Sequence, residues 1–540
     1  MGPVEELHDI VRASAAALVA GDGGALAAAV KLERPPRAEL GDYSTNAALL
    51  LAPRLERSPH EVAQLLGDAL AQRLGEHLER TNVAGPGFLN LFVADAWLVD
   101  GLRAITAAGA RFGAVDLASP LPVNVEFVSA NPTGPVHIGH ARGAAYGDAL
   151  ARLLTFRGCE VTREFYVNDF GTQVRKLGES VRALALDEPI PEGGYHGDYV
   201  AHLVSAQAAR TLDIDELSAE ALAACLAFIR ASLERFGVEF DVWFSERSLH
   251  DGGAIAAVLE RLEALGETYT QDGALWLRTT AHGDDRDRVL IRSDGQPTYF
   301  CSDIAYLENK RGRGFSRLFY VWGADHHGYE PRMKAVLEAL GGEREEIELI
   351  DFQFVHLIGA GERIAMSKRE GEYVTLDELV DAVGVDAARW FLLARSHDTT
   401  VELDPDLATR QSGDNPVYYV QYAHARIASL LARLDGGRVE QALAEIAPTQ
   451  PLHPSERALL KRLLAFPDDV AEAAQRRAPH RIAGAALEIA QEFTAFYRDC
   501  HVVGVEPRTT ESFRIALAHA AKQTIATALG LLGVSTPVQM

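Results

Sequence analysis

The feature that most constrains the fold is a hydrophobic segment followed by a turn and then an alanine-rich segment. Residues 123–128, Val-Asn-Val-Glu-Phe-Val, are typical of a buried strand, and residues 140–157 have the composition of a helix. A strand, a glycine-bearing turn and a helix in this order form the opening unit of a doubly wound parallel sheet. The sequence therefore predicts an α/β domain with Rossmann-like topology.

The turn before this helix ends in His137-Ile138-Gly139-His140. A helix N-terminus presents unpaired N–H groups and the positive end of the helix dipole, and both attract phosphate. Gly139 permits close approach of a nucleotide to the backbone. Two imidazoles three residues apart share one helical face, where they can donate to phosphate oxygens. The motif predicts a nucleotide site, with a capping histidine pair as the structural alternative.

A second motif, Ala-Met-Ser-Lys-Arg, occupies residues 365–369. A mobile loop with a lysine beside a serine can close over a triphosphate and neutralise the departing pyrophosphate. Alone, so short a motif is more typical of a solvated surface loop. Downstream of the first motif, and in the same predicted nucleotide fold, it favours a nucleotide-binding loop.

The rest of the chain divides into further units. Helical spacing and a strand-like segment after Gly85-Pro86-Gly87 predict a separate α+β unit at the N-terminus. Strand-like residues 317–322 and 347–350 continue the parallel sheet, and helical spacing from about Asp377 to the C-terminus predicts an all-α bundle. The predicted domains are residues 1–115, residues 116–385 with an insertion at about 175–290, and residues 386–540.

The net charge of −24 argues against a generally nucleic-acid-binding surface. It does not exclude RNA, because a local basic face acts within about 8–10 Å in physiological salt. Residues 451–540 hold ten Lys/Arg against nine Asp/Glu. Six bundle side chains could meet phosphates or equally form solvated helix faces: Arg457, Lys461, Arg462, Arg476, Arg477 and Arg481.

Cysteine usage and the N-terminus bear on the compartment. The four cysteines form no Cys-x-x-Cys pair, which favours buried thiols in a reducing environment over disulfides or a zinc site. The N-terminus lacks the pattern of a secretory signal, and apolar runs such as residues 183–186 are too short to span a bilayer. These features predict a cytoplasmic protein with no membrane partner.

The two motifs together resemble the paired HIGH and KMSKS signatures of class I aminoacyl-tRNA synthetases. The first match is complete, whereas Ala365 and Arg369 replace a lysine and a serine in the second. Other segments narrow the resemblance, over essentially the whole chain, to bacterial arginyl-tRNA synthetases. They are residues 41–46, 85–88, 126–132, 292–295, 323–329, 385–389 and 415–426. The resemblance implies a class I Rossmann-like catalytic domain between an N-terminal domain that contacts the tRNA elbow and a helical anticodon-binding domain.

The resemblance also implies an activity and its residues. A monomer would join L-arginine to tRNA(Arg) through an arginyl-adenylate, using ATP with Mg²⁺ on its phosphates and no metal bound by the protein itself. The implied catalytic residues are His137, His140 and Lys368, and Gly134, Gly139, Met366 and Ser367 would join them in binding ATP. The implied arginine-binding residues are Glu126, Ser129, Asn131, Tyr299, Asp303, Asp325 and His326. The implied tRNA-binding residues are Tyr43, Asn46, Tyr418, Tyr419, Tyr422 and Arg426.

The chemistry of arginine suits such a pocket. A guanidinium is a planar fork of five donors, so its receptor needs carboxylates or other acceptors. Asp303 is the preferred partner, with Tyr299 on the same face if the segment is helical. Glu126, Ser129 and Asn131 are then assigned to the α-amino end, although the two assignments could be exchanged. Any one carboxylate taken alone is more typical of a structural ion pair.

Three other functions stay open on the sequence. The chain could be a class I synthetase for another amino acid, or a non-synthetase nucleotidyltransferase with the same core. It could also be a catalytically silent tRNA-binding paralogue. The N-terminal unit and the bundle count against the second function, and the intact histidines with Lys368 count against the third.

Overall fold

The computed structural model describes residues 2–19, 28–324, 328–359, 362–363, 367–369, 372–447 and 451–540, with the backbone alone at 38, 362–363, 367–369 and 372–373. Over these ranges an antiparallel sheet comes first, a five-stranded parallel sheet follows, and helices dominate the C-terminal part. The predicted α/β fold class is confirmed.

The N-terminal unit packs helices on a four-stranded antiparallel sheet. Its strands, in spatial order, are β1 (Leu32–Glu33), β2 (Tyr43–Thr45), β4 (Phe88–Val93) and β3 (Leu78–Ala84). Its helices are α1 (Pro3–Ala17), α2 (Ala47–Leu55), α3 (Pro59–Leu74) and α4 (Asp95–Ala108). The β3–β4 hairpin turns at Gly85 and Gly87, whose φ values of 54° and 131° favour glycine.

The parallel sheet opens with the predicted strand–turn–helix unit. Its first elements are β5 (Pro122–Phe127), α5 (Ile138–Phe156) and β6 (Glu160–Val167). Helix α5 lies very close to the sheet, because a Cβ at Gly147 would come within 2.2 Å of the Phe127 side chain. The absence of a side chain at Gly147 therefore sets the depth at which α5, with His137 at its N-terminus, sits on β5.

The region predicted as an insertion contains one strand of the central sheet. Helices α6 (Thr172–Ala185), α7 (Asp198–His202), α8 (Ala206–Thr211) and α9 (Ile214–Arg235) come before that strand, β7 (Val242–Ser245). After it come α10 (Arg247–Asp251), α11 (Ala254–Ala264) and an antiparallel sheet of β8 (Thr268–Gln271), β9 (Ala274–Leu277) and β10 (Arg288–Ile291). Four residues of β7 between long helical segments are too short a pattern to predict.

The second half of the sheet returns to the other side of β5. It comprises α12 (Tyr299–Gly312), β11 (Arg317–Gly323), α13 (Glu330–Ala339) and β12 (Ile347–Phe352). The spatial order is β12-β11-β5-β6-β7, and the strands pair in parallel. The order therefore reverses between β5 and β11, and their carboxyl ends open a crevice at this switch point.

Short strands and two helices connect the sheet to the bundle. They are β13 (Val355–Gly359), β14 (Glu362–Arg363), β15 (Ser367–Arg369), β16 (Glu372–Tyr373), α14 (Leu376–Val383), α15 (Val385–Leu393) and β17 (Val401–Leu403). β17 pairs in parallel with β13, so the expectation that the chain is wholly helical after about residue 377 is wrong. Three residues are too few for their alternation to be recognised.

The C-terminal part is a helical bundle, as predicted. Its helices are α16 (Pro405–Thr409), α17 (Pro416–Leu431), α18 (Arg438–Ala444), α19 (Pro454–Leu464), α20 (Phe466–Gln475), α21 (His480–Asp499) and α22 (Arg508–Leu532). By length and composition α22 could cross a membrane, but 67% of its most apolar window is buried inside the protein. Its apolar surface is therefore accounted for by packing in the bundle core.

Arg389 joins three parts of the molecule. Its buried guanidinium donates to the Asp148 carboxylate of α5, to the Phe236 carbonyl after α9 at 3.2 Å and to the Leu532 carbonyl of α22 at 2.9 Å. We expect Arg389→Met to lower the free energy of unfolding by roughly 3–5 kcal/mol, because the partners of a buried charge lose it without replacement. Urea unfolding measures this loss. Arg410→Met, which removes an exposed arginine, should change stability by less than about 0.5 kcal/mol, and equal effects would contradict the prediction.

Candidate active site

A cavity of about 670 Å³ opens at the carboxyl ends of β5 and β11. This is the position at which doubly wound sheets bind ligands. Seven residues predicted from the sequence line it: Glu126, Ser129, Asn131, His137, Gly139, His140 and Asp303. The fold therefore brings three motif residues at the start of α5 to one site with residues from the end of β5 and from α12.

The two histidines of the motif stack on each other at the N-terminus of α5. Their ring centroids are 3.8 Å apart, and the Gly139 N–H donates to His137 Nδ1 at 3.1 Å. A Cβ at Gly139 would lie 2.8 Å from the His137 ring, so glycine is needed for this cap. Gly139 therefore has a structural role, which is to leave space for the His137 ring. Its role in the close approach of a nucleotide stays a prediction.

Both imidazoles are neutral at physiological pH. Burial lowers the pKa of His137. Burial, with a smaller contribution from His137, lowers the pKa of His140 to about 3. His140 Nδ1 is buried and has no hydrogen-bond partner among the described residues. A neutral imidazole still carries one N–H, so the pair can donate to phosphate oxygens without a change of protonation.

The segment with the second motif is anchored beside these histidines. The Ile138 N–H donates to the Val374 carbonyl at 2.9 Å, and the Leu376 N–H donates to the Val136 carbonyl at 2.8 Å. Ser367 and Lys368 lie on β15, which pairs with β16, but their side chains are outside the described residues, as is Met366 altogether. The backbone thus brings the chain directly after the motif to the start of α5.

Glu126 at the end of β5 is held at both carboxylate oxygens. Lys310 Nζ donates to its Oε2 at 2.6 Å, and Ser129 Oγ donates to its Oε1 at 3.2 Å. Val128 and Ser129 have φ values of 67° and 39°, which are uncommon for residues with side chains and often occur at functional sites. This backbone turns the Ser129 hydroxyl back toward Glu126.

Asp303 belongs to an acidic group at the other side of the cavity. It accepts a hydrogen bond from the Tyr329 hydroxyl. Nearby Glu246, buried directly after β7, bonds Tyr166, which lines the cavity. Burial, and then the charge of Asp303, raise the pKa of Glu246 to about 7. Two carboxylates that interact in this way disfavour each other's charge, and a cation bound beside them would relieve that repulsion.

Glu246 was missed by the sequence interpretation. It directly follows β7, a strand of the central sheet that lay within the predicted insertion. Recognition of residues 242–245 as a strand of the parallel sheet would have placed Glu246 at the carboxyl edge of that sheet.

The other residues that were predicted to bind arginine do not line the cavity or lie outside the described residues. Tyr299 is the first residue of α12, as the helical spacing required, but it is 65% exposed and does not line the cavity. Asp325 and His326 lie outside the described residues. The resembling segment at residues 292–295 forms an exposed turn after β10, with the Gly295 N–H donating to the Arg292 carbonyl at 2.9 Å.

Gly134 does not line the cavity, and a Cβ there would come within 3.2 Å of the Tyr199 hydroxyl. That hydroxyl donates to the Thr133 carbonyl at 2.8 Å. The contact of Gly134 with ATP stays a prediction. The close Tyr199 side chain gives a separate, structural reason for glycine at this position.

In the bundle, predicted tRNA residues form a partly exposed cluster on α17. The rings of Tyr418 and Tyr422 are parallel at 6.0 Å, and the Arg426 guanidinium lies 4.7 Å from the Tyr422 ring and 5.3 Å from that of Tyr497. Tyr419 instead points inward, where its hydroxyl bonds Thr494 Oγ1 at 3.0 Å. Aromatic rings and an arginine plane at a surface are suited to stacking on unpaired bases.

The N-terminal tRNA prediction needs a correction at Tyr43. Its side chain is 2% exposed and packs edge-on against Trp97, so it cannot contact RNA in this fold. Asn46 is half-buried, and its Oδ1 accepts from the Lys31 N–H at 2.8 Å. The Asn46 contact with tRNA stays a prediction.

The basic side chains of the bundle are engaged by carboxylates. Three of them connect domains: Arg457 pairs with Asp95, Lys461 with Asp42 at 2.8 Å, and Arg477 with Glu348 at 3.0 Å. Arg462 pairs with Asp469, and Arg476 and Arg481 pair with Glu472. The interpretation of the first three as phosphate contacts is therefore corrected to a structural role between domains.

Comparison with known proteins covers the whole chain. Residues 5–93 match the family model "Arginyl tRNA synthetase N terminal domain", and residues 420–540 match "DALR anticodon binding domain". Residues 107–190 and 199–431 match "tRNA synthetases class I (R), catalytic domain". The chain is 45% identical to the arginine–tRNA ligase of Frankia alni, with 100% of both chains covered. It is 44% identical to that of Moorella thermoacetica, with 94% of this chain and 93% of the relative covered.

Solved structures of arginyl-tRNA synthetases have the same fold as this chain. A putative arginyl-tRNA synthetase from Campylobacter jejuni has a TM-score of 0.76 at 35% identity and covers 83% of this chain and 100% of its own. The Thermus thermophilus arginyl-tRNA synthetase has a TM-score of 0.78 and covers 99% of this chain and 100% of its own. At 22% identity it shows the fold alone.

Proposed function

This chain belongs to the arginyl-tRNA synthetase family, and from that membership we propose how its cavity holds the substrates of the reaction. Its activity is the ATP-dependent attachment of arginine to tRNA for translation. The alternatives of another amino acid, a plain nucleotidyltransferase and a silent paralogue are set aside by this membership.

The observation that carries the proposed arginine pocket is the pair of neighbouring carboxylates, Asp303 and Glu246. The guanidinium lies between them, because its planar fork can donate to two carboxylates and its charge offsets their repulsion. Glu126, Ser129 and Asn131, at the end of β5, face the α-ammonium. This division places the substrate carboxylate between the acidic group and the histidines, where the nucleotide binds.

In the proposed reaction the arginine carboxylate attacks the α-phosphorus of ATP, and pyrophosphate leaves. The 2′-hydroxyl of the terminal adenosine of tRNA then attacks the carbonyl carbon of the arginyl-adenylate, and AMP leaves as the ester forms. The N–H groups of His137 and His140, with the α5 N-terminus and Lys368, stabilise the charge that develops on the phosphates. The proposed ATP contacts also include Gly134, Gly139, Met366 and Ser367.

Mg²⁺ would neutralise charge on the phosphates when bound. The described residues contain no group of three or more His, Cys, Asp or Glu side chains that could hold a metal. Mg²⁺ bound with nucleotides is usually held mainly by phosphate oxygens and water.

The tRNA would be bound at both ends of the chain. The cluster of Tyr418, Tyr422 and Arg426 supports stacking on anticodon bases, and Asn46 of the N-terminal domain faces the tRNA elbow. We propose domains at residues 1–115, 116–385 and 386–540. The enzyme is proposed to be a cytoplasmic monomer.

A pH titration of arginine binding tests the pocket. With the pKa of Glu246 at about 7, the free carboxyl is largely protonated at pH 6 and largely ionised at pH 8. Because the guanidinium needs the ionised form, we expect the affinity for arginine to fall about tenfold from pH 8 to pH 6, with uptake of one proton on release. Calorimetry in buffers of different ionisation enthalpy measures both. A flat profile, or one that Glu246→Gln leaves unchanged, would remove Glu246 from the pocket.

A further inference from the structure

A fully buried arginine follows the two histidines of the motif on α5. Arg142 is 1% exposed, and although burial lowers its pKa to about 10, it stays charged at physiological pH. Its Nη1 donates to the Gln353 carbonyl at 2.6 Å, and its Nη2 donates to the Ser396 carbonyl at 2.7 Å. Both bonds go to the backbone of distant segments rather than to a carboxylate. Because the guanidinium is a rigid planar fork, it fixes the spacing of the segments that it joins.

The two carbonyls belong to a wall of the cavity and to the segment that supports it. Residues 352–354, which we call the cavity wall, lead from β12 into β13 and line the cavity. The Gln353 N–H donates to the His397 carbonyl at 2.8 Å, and the Val401 N–H donates to the Phe354 carbonyl at 3.1 Å. Residues 396–401 therefore support the cavity wall without lining the cavity themselves, and Arg142 ties both segments to α5.

The cavity wall packs closely on α5 at the residue after Arg142. A Cβ at Gly143 would lie 2.8 Å from the Phe352 ring, so the wall is in direct contact with the helix at this point. Two residues further along the wall, Phe354 lines the cavity although it is 58% exposed. An exposed aromatic ring in the same cavity as both motif histidines offers a flat apolar face to a purine base. The backbone that Arg142 holds sets the place of this ring relative to the histidines.

We propose that Arg142 is a positioning residue for the nucleotide, which holds the cavity wall so that the Phe354 ring stacks on the adenine of ATP. The inference rests on the proposed binding of the ATP phosphates by His137 and His140. Loss of the guanidinium leaves two backbone carbonyls without their donor, and a shift of the wall by about 1 Å is enough to spoil its contact with a rigid ring. The phosphates do not depend on Arg142, because their proposed contacts come from the histidines, the α5 N-terminus and Lys368.

The test compares two ligands that share a triphosphate and differ in the adenosine, ATP and inorganic triphosphate, both with Mg²⁺. By calorimetry we expect Arg142→Met to weaken ATP about 5–50-fold and inorganic triphosphate less than about threefold. Phe354→Ala, at an exposed position, should weaken ATP about 5–150-fold, the range for loss of base stacking, and should also spare inorganic triphosphate. In aminoacylation the KM for arginine should stay within about threefold of wild type in both variants.

Arg152→Met is the matched control on the same helix. The Arg152 guanidinium also donates to two backbone carbonyls, those of Gly530 at 3.4 Å and Gly237 at 3.5 Å, but it does not line the cavity. Its replacement should lower the unfolding temperature and leave the ratio of the ATP and triphosphate affinities as in the wild type. An equal fall of that ratio in Arg142→Met and Arg152→Met would overturn the positioning role, because any disturbance of α5 would then suffice.

Failure of the positioning role and failure of the proposed phosphate site give different results. Equal weakening of both ligands by Arg142→Met, or an unchanged ATP affinity in Phe354→Ala, overturns the positioning role. An unchanged triphosphate affinity in the double variant His137→Ala/His140→Ala overturns the phosphate assignment itself. If Arg142→Met does not fold, Arg142→Lys keeps the charge but not the planar fork. A ratio of the two affinities at least about threefold below wild type in Arg142→Lys then supports the inference, and a wild-type ratio overturns it.

Discussion

Replacing His140 with alanine is expected to lower kcat for arginyl-tRNA formation by about 10²–10³-fold, the loss typical when one donor to a developing oxyanion is removed. His140 stacks on His137 at the α5 N-terminus and lines the cavity, and its Nδ1 has no partner among the described residues. The KM for arginine should change little, because the proposed arginine contacts come from other elements. Steady-state aminoacylation with saturating tRNA measures both constants.

The matched control is His397→Ala. His397 packs against Tyr146 of α5 with ring centroids 5.7 Å apart, but it does not line the cavity. Its loss disturbs packing of the same helix, so we expect a lower unfolding temperature with kcat within about threefold of wild type. Equal losses of kcat in the two variants would mean that His140 acts by packing.

The pKa of His140 adds a second check. Since burial holds this pKa at about 3, the imidazole is neutral throughout the pH range in which the enzyme is folded and active. The pH profile of kcat should therefore lack a limb near 6.5, the usual value for histidine. A limb at that pH that disappears in His140→Ala would contradict the neutral role.

The second large effect is expected at the acidic group. Asp303→Asn should raise the KM for arginine by about 10²–10³-fold, because a buried charge partner of a ligand is typically worth 2–5 kcal/mol. Glu246→Gln should act in the same direction. The double variant should lose more than the sum of the two single losses, since the remaining carboxylate in each single variant is relieved of its neighbour's repulsion and partly compensates.

Asp294→Asn provides the control for this series. Asp294 carries the same charge but lies exposed in the turn after β10, where its carboxylate accepts from the Gln296 N–H at 3.0 Å. Its KM for arginine should equal that of the wild type. A normal KM in Asp303→Asn would show that the guanidinium binds elsewhere, and calorimetry with arginine alone would separate binding from catalysis.

Several features were predictable because they depend on local sequence. The strand before residue 128, the turn and the helix from Ile138 follow from hydrophobic pattern and turn residues, and the structure contains all three. The helical spacing of Tyr299 and Asp303 was also correct. Local pattern could not show that Tyr299 is exposed while Asp303 lines the cavity, because that depends on how α12 packs on the sheet.

Tyr43 is a residue whose environment the sequence did not predict. A tyrosine in a recognisable segment was assigned to tRNA, yet β2 turns its ring into the core against Trp97. In the same way, three basic residues of the bundle have the charge to bind phosphate, but they form ion pairs with Asp42, Asp95 and Glu348 of other domains. Charge and residue type are visible in the sequence, but the partner across a domain boundary is not.

By itself the sequence determined the family, the order of the domains and the residues at the start of α5, because these are recorded in short segments whose chemistry is local. The tertiary structure alone decided which carboxylates influence each other beside the cavity. Glu246 and Asp303 are 57 positions apart and lie on different elements, and only the return of the chain across the sheet brings them together. It also decided that Lys310 meets Glu126 across 184 residues, since a buried charge takes its partner from the packing of helix on strand rather than from its neighbours in the chain.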